Sequence, residues 1–364
     1  AVRNAGRQLI SAPTRVRVSR WLHRQWRKTG WFALLLSPVS LIARALLSCR
    51  APAGTRRGAY RAPVPVVVVG NLYVGGTGKT PVVMTIVQAL TAQGLRPGVI
   101  SRGYGVRIDA QARVGQGTLD AGIFGDEPAL IARQTGCAVA VHPRRRLAAR
   151  ALLMAQPEID VIVSDDGLQH QDLARDVEVI VQDDRGIGNG MVLPAGPLRE
   201  PSSRLGTVDV VVTQVNPGEI LAAPRPAPAG VRPLQVAMQL RPLGVRHLQT
   251  GEVLSLADFA ARFGAEPIAA AAGIGVPERF FRSLREAGLA PATELALEDH
   301  AAIDRTTFAA LTERLILVTA KDAVKCQGLD DERIWAVDAQ AVLSVIDFAQ
   351  WLAQRVEQTR RKQR

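Results

Sequence analysis

A glycine-rich segment that separates an apolar run from a helical pattern constrains the fold of this chain most. Residues 63–70 read PVPVVVVG, which is typical of a buried parallel strand. Residues 71–80 read NLYVGGTGKT, and the apolar spacing of residues 82–90 predicts a helix. A strand, a glycine loop ending in Lys-Thr and a helix form, in this order, a phosphate-binding loop. We therefore predict an α/β fold with a P-loop NTPase-like α/β/α sandwich.

The segment supplies six candidate nucleotide ligands: Gly75, Gly76, Thr77, Gly78, Lys79 and Thr80. The glycines let backbone amides converge on a phosphate, and the helix N-terminus adds partial positive charge. Lys79 offers a charge for the β and γ phosphates of a nucleotide, and the Thr80 hydroxyl is a ligand for Mg²⁺. The usual G-x-x-x-x-G-K-[ST] spacing would require glycine where Tyr73 stands. The alternative, a glycine-rich turn without a ligand, leaves Lys-Thr at the helix start unexplained.

A second apolar run, residues 159–163, leads to the adjacent carboxylates Asp165 and Asp166. P-loop proteins place the carboxylate that holds Mg²⁺ after a neighbouring strand. Two adjacent carboxylates repel each other unless a cation neutralises them, so we predict metal coordination here. The alternative is a plain turn, because Asp-Asp-Gly suits a turn. His170 follows the pair and is a candidate for substrate contact.

Six further polar residues follow a predicted strand or open a predicted helix or loop: Arg102, Tyr104, Asp126, Glu127, Arg199 and Glu200. The first two end the predicted strand 99–104, and such ends face the ligand crevice of an open parallel sheet. The two acids open a helix, which by itself indicates only a well-formed helix N-terminus. The last two lie in the proline-rich loop 193–201, where they contact substrate or form a surface ion pair.

The N-terminal part of the chain is basic and then apolar. Residues 31–49 contain Arg44 as their single charge, and eight basic residues and two tryptophans precede them. Residues 1–108 hold 17 of the 45 basic residues and no acid, so the remaining chain carries a net charge of −5. We predict a membrane-associated helix with a cytoplasmic basic flank, which spans the bilayer or lies in its interface. The alternative is an amphipathic helix packed in the core.

The rest of the sequence predicts a second, smaller α/β domain. Residues 216–235 contain five prolines and read as an extended linker, followed by predicted strands at 267–274 and 315–319. The expected domains are 1–50, 51–215, 216–345 and 346–364, the last being a helix with a basic tail. His300, preceded by Asp299, is a candidate acid or base. The three cysteines lie far apart, which disfavours a disulfide scaffold and a zinc site.

Seven motifs in this order resemble the tetraacyldisaccharide 4'-kinase family. They are GGTGKT at 75–80, SRGY at 101–104, GDEP at 125–128, DDGLQH at 165–170, LPAGPLREP at 193–201, EDH at 298–300 and TAKD at 319–322. The resemblance covers residues 31–325. Leu168 and Ala320 replace residues that are more usual in the family, and both changes affect packing more than chemistry.

The resemblance implies an ATP- and Mg²⁺-dependent transfer of the γ-phosphoryl group to the 4'-hydroxyl of a tetraacyldisaccharide 1-phosphate, giving lipid IVA in lipid A biosynthesis. It implies that Asp126 and His300 act as a pair at the sugar hydroxyl, together with Lys79 on ATP. It further assigns metal binding to a set of four side chains: Thr80, Glu127, Asp165 and Asp166. Two α/β/α domains that close over the nucleotide, and a location at the cytoplasmic face of the bacterial inner membrane, are also implied.

The expected partners are the acylated lipid substrate and an anionic membrane surface, with no nucleic acid and with the chain as a monomer. One alternative is a P-loop NTPase that works as a switch or uses its basic arm on nucleic acid. The apolar run after the arm and the lack of an RNA-binding motif disfavour it. Another alternative is a membrane scaffold with an inactive nucleotide site, which conflicts with the intact Lys79, Thr80 and Asp165.

Overall fold

The computed structural model describes residues 8–9, 21–48, 58–219, 221, 233–299, 301–345 and 347–363. These residues divide into two compact units. The larger unit holds 21–48, 58–215, 221, 233–239, 343–345 and 347–363, and the smaller unit holds 8–9, 216–219, 240–299 and 301–342. The domain boundaries expected from the sequence stay a prediction.

Strands are numbered in chain order. They are β1 (Gln8–Leu9), β2 (Val66–Gly70), β3 (Pro97–Ser101), β4 (Arg113–Gln116), β5 (Ala138–Val141), β6 (Val161–Ser164), β7 (Val177–Asp183), β8 (Val210–Gln214), β9 (Leu234–His247), β10 (Val253–Ser255), β11 (Ile268–Ala272), β12 (Thr293–Ala296), β13 (Leu315–Thr319) and β14 (Ile334–Leu343).

The helices are α1 (Trp31–Ser48), α2 (Lys79–Ala92), α3 (Ala121–Phe124), α4 (Asp126–Thr135), α5 (Arg145–Ala155), α6 (Leu256–Phe263), α7 (Pro277–Glu286), α8 (Ala320–Lys325) and α9 (Phe348–Gln363). Residues 21–25 are also helical, and Ser202–Gly206 form a 3₁₀ helix.

The sheet of the larger unit has the strand order β9-β8-β7-β2-β6-β3-β5-β4. Neighbouring strands are parallel except for β4, which pairs antiparallel with β5 at the edge. The connection from β2 through α2 to β3 and that from β5 through α5 to β6 run in opposite directions along the sheet. Because such connections are right-handed, the two helices lie on opposite faces. The prediction of a mixed α/β fold is confirmed.

The valine-rich strands are buried because both faces of this sheet are covered. One hydrophobic cluster contains Val66, Val68 and Ile162 from the strands and Ala148 and Leu152 from α5, all nearly inaccessible to solvent. The opposite face packs against α2, whose contacts include β2 and β3. Continuous apolar runs are the expected sequence of strands that are covered in this way.

The register of the parallel strands fixes where the following loops emerge. Val68 of β2 lies opposite Ser164 of β6, and Ile100 of β3 also lies opposite Ser164. Parallel strands end at the same edge of a sheet, so the segments after Gly70, Ser101 and Ser164 emerge next to each other at that edge.

The smaller unit contains the parallel strands β1, β12, β11, β13 and β14 in that order, and β10 pairs antiparallel with β9. Its core joins Ala270 and Ala272 of β11 to Phe281 of α7, Phe259 of α6 and Trp335 of β14. Small residues in the central strand let the aromatic side chains fill the space above it.

Two predicted boundaries differ from the structure. β3 ends at Ser101, so Arg102 and Tyr104 lie in the following turn rather than in the strand, because Gly103 has a φ of 68° that a strand does not accommodate. The predicted linker 216–235 gives way to β9 at Leu234, which pairs parallel with β8 and extends the sheet. Residues 222–232 of that linker lie outside the described residues.

Helix α1 packs on the larger unit with one face only. Ala33 and Ser40 are buried, and the Ser40 hydroxyl donates to the Val192 carbonyl (2.9 Å) and accepts from the Ala195 amide (2.8 Å). Seven of its large apolar residues are between 53% and 68% exposed: Trp31, Leu34, Leu35, Val39, Leu41, Ile42 and Leu46. Phe32, Leu36 and Leu47 are half-buried. The alternative of a buried core helix is therefore wrong. Across the described ranges, no helix has the length and apolar character needed to cross a membrane.

Gly70, the last residue of β2, allows the close approach of the segment that follows β6. A Cβ at this position would lie 2.5 Å from Leu168 Cβ and 3.2 Å from the Leu168 nitrogen. We expect Gly70→Ala to destabilise the larger unit by about 2 kcal/mol, because the buried backbone must shift. Gly206→Ala is the control, since nothing lies within 4 Å of the added carbon, and its effect should stay within about 0.5 kcal/mol. Urea unfolding measures both, and equal midpoints would contradict the expected clash.

Candidate functional site

The loop between β2 and α2, residues 71–78, is called the glycine loop. Gly75 and Gly78 have φ values of 97° and 85°, a backbone region that favours glycine. Gly78 caps α2, and a Cβ at this position would lie 2.5 Å from Gln214 Oε1. Lys79 and Thr80 are the first residues of α2. The loop therefore turns sharply into the helix N-terminus, and its conformation depends on glycine.

Asn71, which is fully buried, organises the glycine loop from within. Its Nδ2 donates to the carbonyls of Tyr73 (2.5 Å) and Gly75 (3.0 Å). Its Oδ1 accepts from Lys79 Nζ at 3.3 Å. One amide side chain thus fixes two loop carbonyls and the position of the lysine.

The segment Asp165-Asp166-Gly167, called the acidic turn, follows β6 and meets the glycine loop. Asp166 Oδ1 lies 3.7 Å from Lys79 Nζ and 3.4 Å from Arg199 Nη1. Burial raises the pKa of Asp166, but Lys79 and Arg199 outweigh it, so the pKa lies below its ordinary value. Asp166 is therefore ionised and lies between two cations, with a φ of 46°.

Asp165 has the opposite electrostatic environment. It is 1% exposed; its Oδ2 accepts from Ser101 Oγ at 3.1 Å, and its Oδ1 has no hydrogen-bond partner within the described part of the chain. Burial and the neighbouring carboxylates Glu127 and Asp166 together raise the pKa of Asp165 to about 7, against the opposing effect of Lys79 and Arg145. The protonated form is therefore favoured more than in an ordinary aspartate, and a cation would favour the ionised form.

Arg145, at the start of α5, supports the acidic turn. The fully buried guanidinium donates through Nη2 to the carbonyls of Asp165 (2.9 Å) and Asp166 (3.2 Å), and through Nη1 to the His142 carbonyl (3.2 Å). Burial lowers the pKa of Arg145 to about 10 despite the two aspartates, which leaves the group charged at neutral pH. Its positive charge balances part of the carboxylate charge.

Arg199 and Glu200 belong to the same network. Arg199 Nη1 also donates to Gln169 Oε1 at 3.4 Å, and Gln169 Nε2 donates to Glu200 Oε1 at 2.9 Å. Glu200 lies 3.4 Å from Arg204 Nε. Arg199 therefore contacts the acidic turn directly, and Glu200 is linked to it through Gln169. Their predicted contact with substrate stays a prediction.

The turn after β3 approaches the start of α4. A Cβ on Gly125 would lie 2.9 Å from the Tyr104 carbonyl oxygen, and Gly125 has a φ of 92°. This contact brings the exposed residues Arg102 and Tyr104 next to Asp126 and Glu127 in the first turn of α4. His300 lies outside the described residues, so the structure does not test its predicted role.

The donor set around Asp165 suits a hard divalent cation. One oxygen of Asp165 is unpartnered, the carboxylates of Glu127 and Asp166 interact with Asp165 electrostatically, and the buried Thr80 lies at the start of α2. Carboxylate and hydroxyl oxygens are ligands that Mg²⁺ prefers. Within the described ranges, no three His, Cys, Asp or Glu side chains form a ready metal-ligand group.

Comparisons with known proteins identify the family. A family model described as tetraacyldisaccharide-1-P 4'-kinase matches residues 32–357. The chain belongs to this family. Tetraacyldisaccharide 4'-kinase of Bordetella parapertussis is 55% identical over 346 residues, 94% of this chain and 98% of the relative. That of Bordetella petrii is 56% identical over 338 residues, 92% and 95% of the two chains.

A solved structure shares the fold. The crystal structure of LpxK from Aquifex aeolicus in complex with ATP superposes with a TM-score of 0.70 at 24% identity, covering 90% of this chain and 98% of that one. Family membership confirms the resemblance predicted from the ordered motifs, and with it the prediction that the chain is a kinase.

Sequence reasoning missed several residues of this site: Asn71, Ser101, Arg145 and Gln169. Asn71, Ser101 and Gln169 lie within or next to the recognised motifs, but hydrogen bonding of this kind leaves no spacing pattern. Arg145 is one of three consecutive arginines, and only the structure separates the buried member from its neighbours.

His170 should remain neutral well below the usual histidine range. Burial and the nearby Arg145 together lower the pKa of His170 to about 4. Because the folded pKa lies below the unfolded value of about 6.5, this group makes the fold less stable as pH falls from about 6.5 to 4. Histidine ring NMR shifts should show a midpoint near 4 in the folded protein and near 6.5 in denaturant. A folded midpoint near 6.5 would contradict the burial of this ring beside a cation.

Proposed function

We propose that the chain transfers the γ-phosphoryl group of ATP to the 4'-hydroxyl of a tetraacyldisaccharide 1-phosphate, giving lipid IVA. The observation that carries this proposal is the contact between Lys79 at the end of the glycine loop and Asp166 in the acidic turn (3.7 Å). It joins a phosphate-binding segment to a metal-binding one. The names of the Bordetella relatives and the ATP complex of the Aquifex protein support the choice of substrates.

In this proposal the glycine loop is a P-loop. Its backbone amides and the N-terminus of α2 bind the phosphates, because aligned N–H groups there carry partial positive charge. Lys79, already directed into the site by Asn71, neutralises charge on the β and γ phosphates. Arg199 adds a second cation at the same Asp166 oxygen.

Mg²⁺ would be held by Thr80, Asp165, Asp166 and Glu127. When bound, the ion neutralises phosphate charge as a Lewis acid. A bound cation would favour the ionised form of Asp165, whose pKa is raised by burial and by the neighbouring carboxylates. Ser101 and Arg145 keep this carboxylate and its backbone in place.

The transfer step needs positioning and charge neutralisation more than covalent catalysis. The 4'-oxygen forms a bond to the γ-phosphorus while the bond to the bridging oxygen breaks and ADP leaves. The hydroxyl proton passes to Asp126, and His300 orients this carboxylate and shares its charge. Asp126 opens α4 beside the exposed turn that carries Arg102 and Tyr104, where a sugar can approach from solvent. In this proposal His170 contacts the same substrate.

The acylated substrate explains the exposed face of α1. A lipid with four acyl chains stays in the bilayer, so its kinase must work at the membrane surface. The apolar side chains of α1 face outwards, and Arg24, Arg27 and Lys28 precede the helix as exposed cations. We infer that α1 lies in the interface at the cytoplasmic face of the inner membrane, where cations meet anionic headgroups. The chain acts there as a monomer, without nucleic acid.

Asp126→Ala should lower kcat at least about 100-fold and change ATP affinity little, because it removes the proton acceptor but no phosphate contact. His300→Ala should behave in the same way, and Lys79→Ala should remove most turnover. Asp120→Ala is a matched control: Asp120 accepts from the Gly122 amide at the start of α3, and its loss should leave turnover nearly unchanged.

The assay measures 4'-phosphorylated product from ATP, Mg²⁺ and a tetraacyldisaccharide 1-phosphate. Normal turnover in Asp126→Ala or His300→Ala would reject the pair. A folded protein that binds ATP but forms no product would reject the proposed reaction.

The double variant Leu35→Asp with Ile42→Asp should reduce binding to anionic phospholipid vesicles about tenfold or more. The two side chains lie two helical turns apart on the exposed face of α1, and each loses apolar burial in the bilayer. Met154→Asp is the control, because Met154 is 85% exposed on α5. Vesicle sedimentation compares the three proteins, and equal binding of the double variant would exclude α1 as the membrane contact.

A further inference from the structure

Arg185 contacts the glycine loop from outside the site described above. It follows β7, which pairs with β2 and extends to Asp183 beyond the end of that strand. Its Nη2 donates to the Gly76 carbonyl at 2.6 Å. Gly76 is in the middle of the glycine loop, so Arg185 fixes a peptide group of the segment that we propose binds phosphate.

The Arg185 guanidinium is itself held on two sides. Its Nε lies 2.9 Å from both Asp183 carboxylate oxygens, and its Nη2 lies 2.7 Å from Oδ2. The two side chains are only 9% and 1% exposed. The guanidinium carbon also lies 4.4 Å from the centre of the Tyr73 ring. A planar cation can form a forked ion pair and stack on a ring at the same time, which a lysine ammonium cannot do.

Because the peptide group is planar, contacts that fix a loop carbonyl also fix the direction of the N–H group that follows it. Asn71 holds the Gly75 carbonyl and Arg185 holds the Gly76 carbonyl. In a trans peptide the C=O and the following N–H point in opposite directions. Fixing the two carbonyls therefore directs the N–H groups of Gly76 and Thr77 away from Asn71 and Arg185. A loop that binds an anion needs its amides turned towards the ligand and its carbonyls turned away.

Tyr73 occupies the position where the usual motif has glycine, and here it supports Arg185. Its ring stacks on His23 (centroids 5.6 Å apart, planes at 19°), and its hydroxyl lies 3.4 Å from His23 Nδ1. Burial and Arg185 together lower the pKa of His23 to about 4, so the imidazole is neutral at pH 7. His23 therefore stacks on Tyr73 as an uncharged ring and does not compete as a cation with Arg185.

We propose that Arg185 is a positioning residue for phosphate binding: through the Gly76 carbonyl it sets the direction of the glycine-loop amides, with Asp183 and Tyr73 as its supports. This inference rests on the proposed function, since it gives the loop the role of a P-loop. It predicts that Arg185 controls the affinity for ATP without touching the lipid substrate or the reacting oxygen.

Arg185→Lys is the test, because it keeps a charge near the buried Asp183 but loses the fork and the stacked plane. Arg333→Lys is a matched control from the smaller unit. Arg333 also pairs with the aspartate two residues earlier, Asp331 (2.9 and 2.8 Å), and donates to the Leu311 carbonyl at 2.7 Å. Both variants lose the same type of contact, but only the first involves the glycine loop.

Arg185→Lys should raise the dissociation constant and the KM for ATP about five- to tenfold, the effect of losing one ordinary hydrogen bond. The KM for the lipid should not change, and Arg333→Lys should match the unchanged protein in both constants. Calorimetric titration with ATP and steady-state kinetics give these values, and thermal unfolding shows that each variant is folded. If Arg185 had a purely structural role, both variants would be less stable, and the KM for ATP would not change more than the KM for the lipid.

A folded Arg185→Lys protein that binds ATP within twofold of the unchanged protein overturns the inference. If Arg185→Lys does not fold, Tyr73→Leu replaces it as the test, because it removes the aromatic ring and leaves the ion pair of Arg185 with Asp183. An unchanged ATP affinity of Tyr73→Leu also overturns the inference. If the unchanged protein itself binds no ATP, the proposed function fails first and the inference fails with it.

Discussion

The parallel pairing of β2 with β6 is the constraint on which the site depends. It places the glycine loop and the acidic turn at one edge of the sheet, so that Lys79 and Asp166 come within 3.7 Å. Arg199 joins them from the loop after β7. Two cations around one carboxylate leave positive charge available for an anion, which is the electrostatic requirement for binding a polyphosphate.

The burial of Asp165 lowers the stability of the folded protein, and its position in the site suggests that the residue is kept for binding. A buried carboxyl with an unpartnered oxygen is unfavourable, and such groups concentrate at functional sites. Its folded pKa of about 7 lies above its unfolded value, so its contribution to stability is lost as pH rises from about 4 to 7. A bound cation would offset this loss. The same carboxyl therefore couples folding, pH and metal binding.

The sequence predicted the elements whose signals are local. The glycine loop, the acidic turn and the helix opened by Asp126 carry their own motifs, and parallel strands have recognisable apolar runs. Short edge strands such as β4 carry no such run and were missed. Asn71, Arg145 and Arg185 were also missed, because their roles depend on hydrogen bonds to distant backbone carbonyls. The exposure of α1 could not be predicted from the sequence either, because a core helix and an interfacial helix can have the same amino-acid composition.

The central claim is that the edge formed by β2 and β6 binds ATP with Mg²⁺ at Asp165. Calorimetric titration of the protein with Mg²⁺ and ATP at pH 7, in buffers of different ionisation enthalpy, measures the protons released on binding. Compared with Asp165→Asn, which removes this acid, the native protein should release more protons for each Mg²⁺ and ATP bound. Equal proton release in the two proteins would contradict the account.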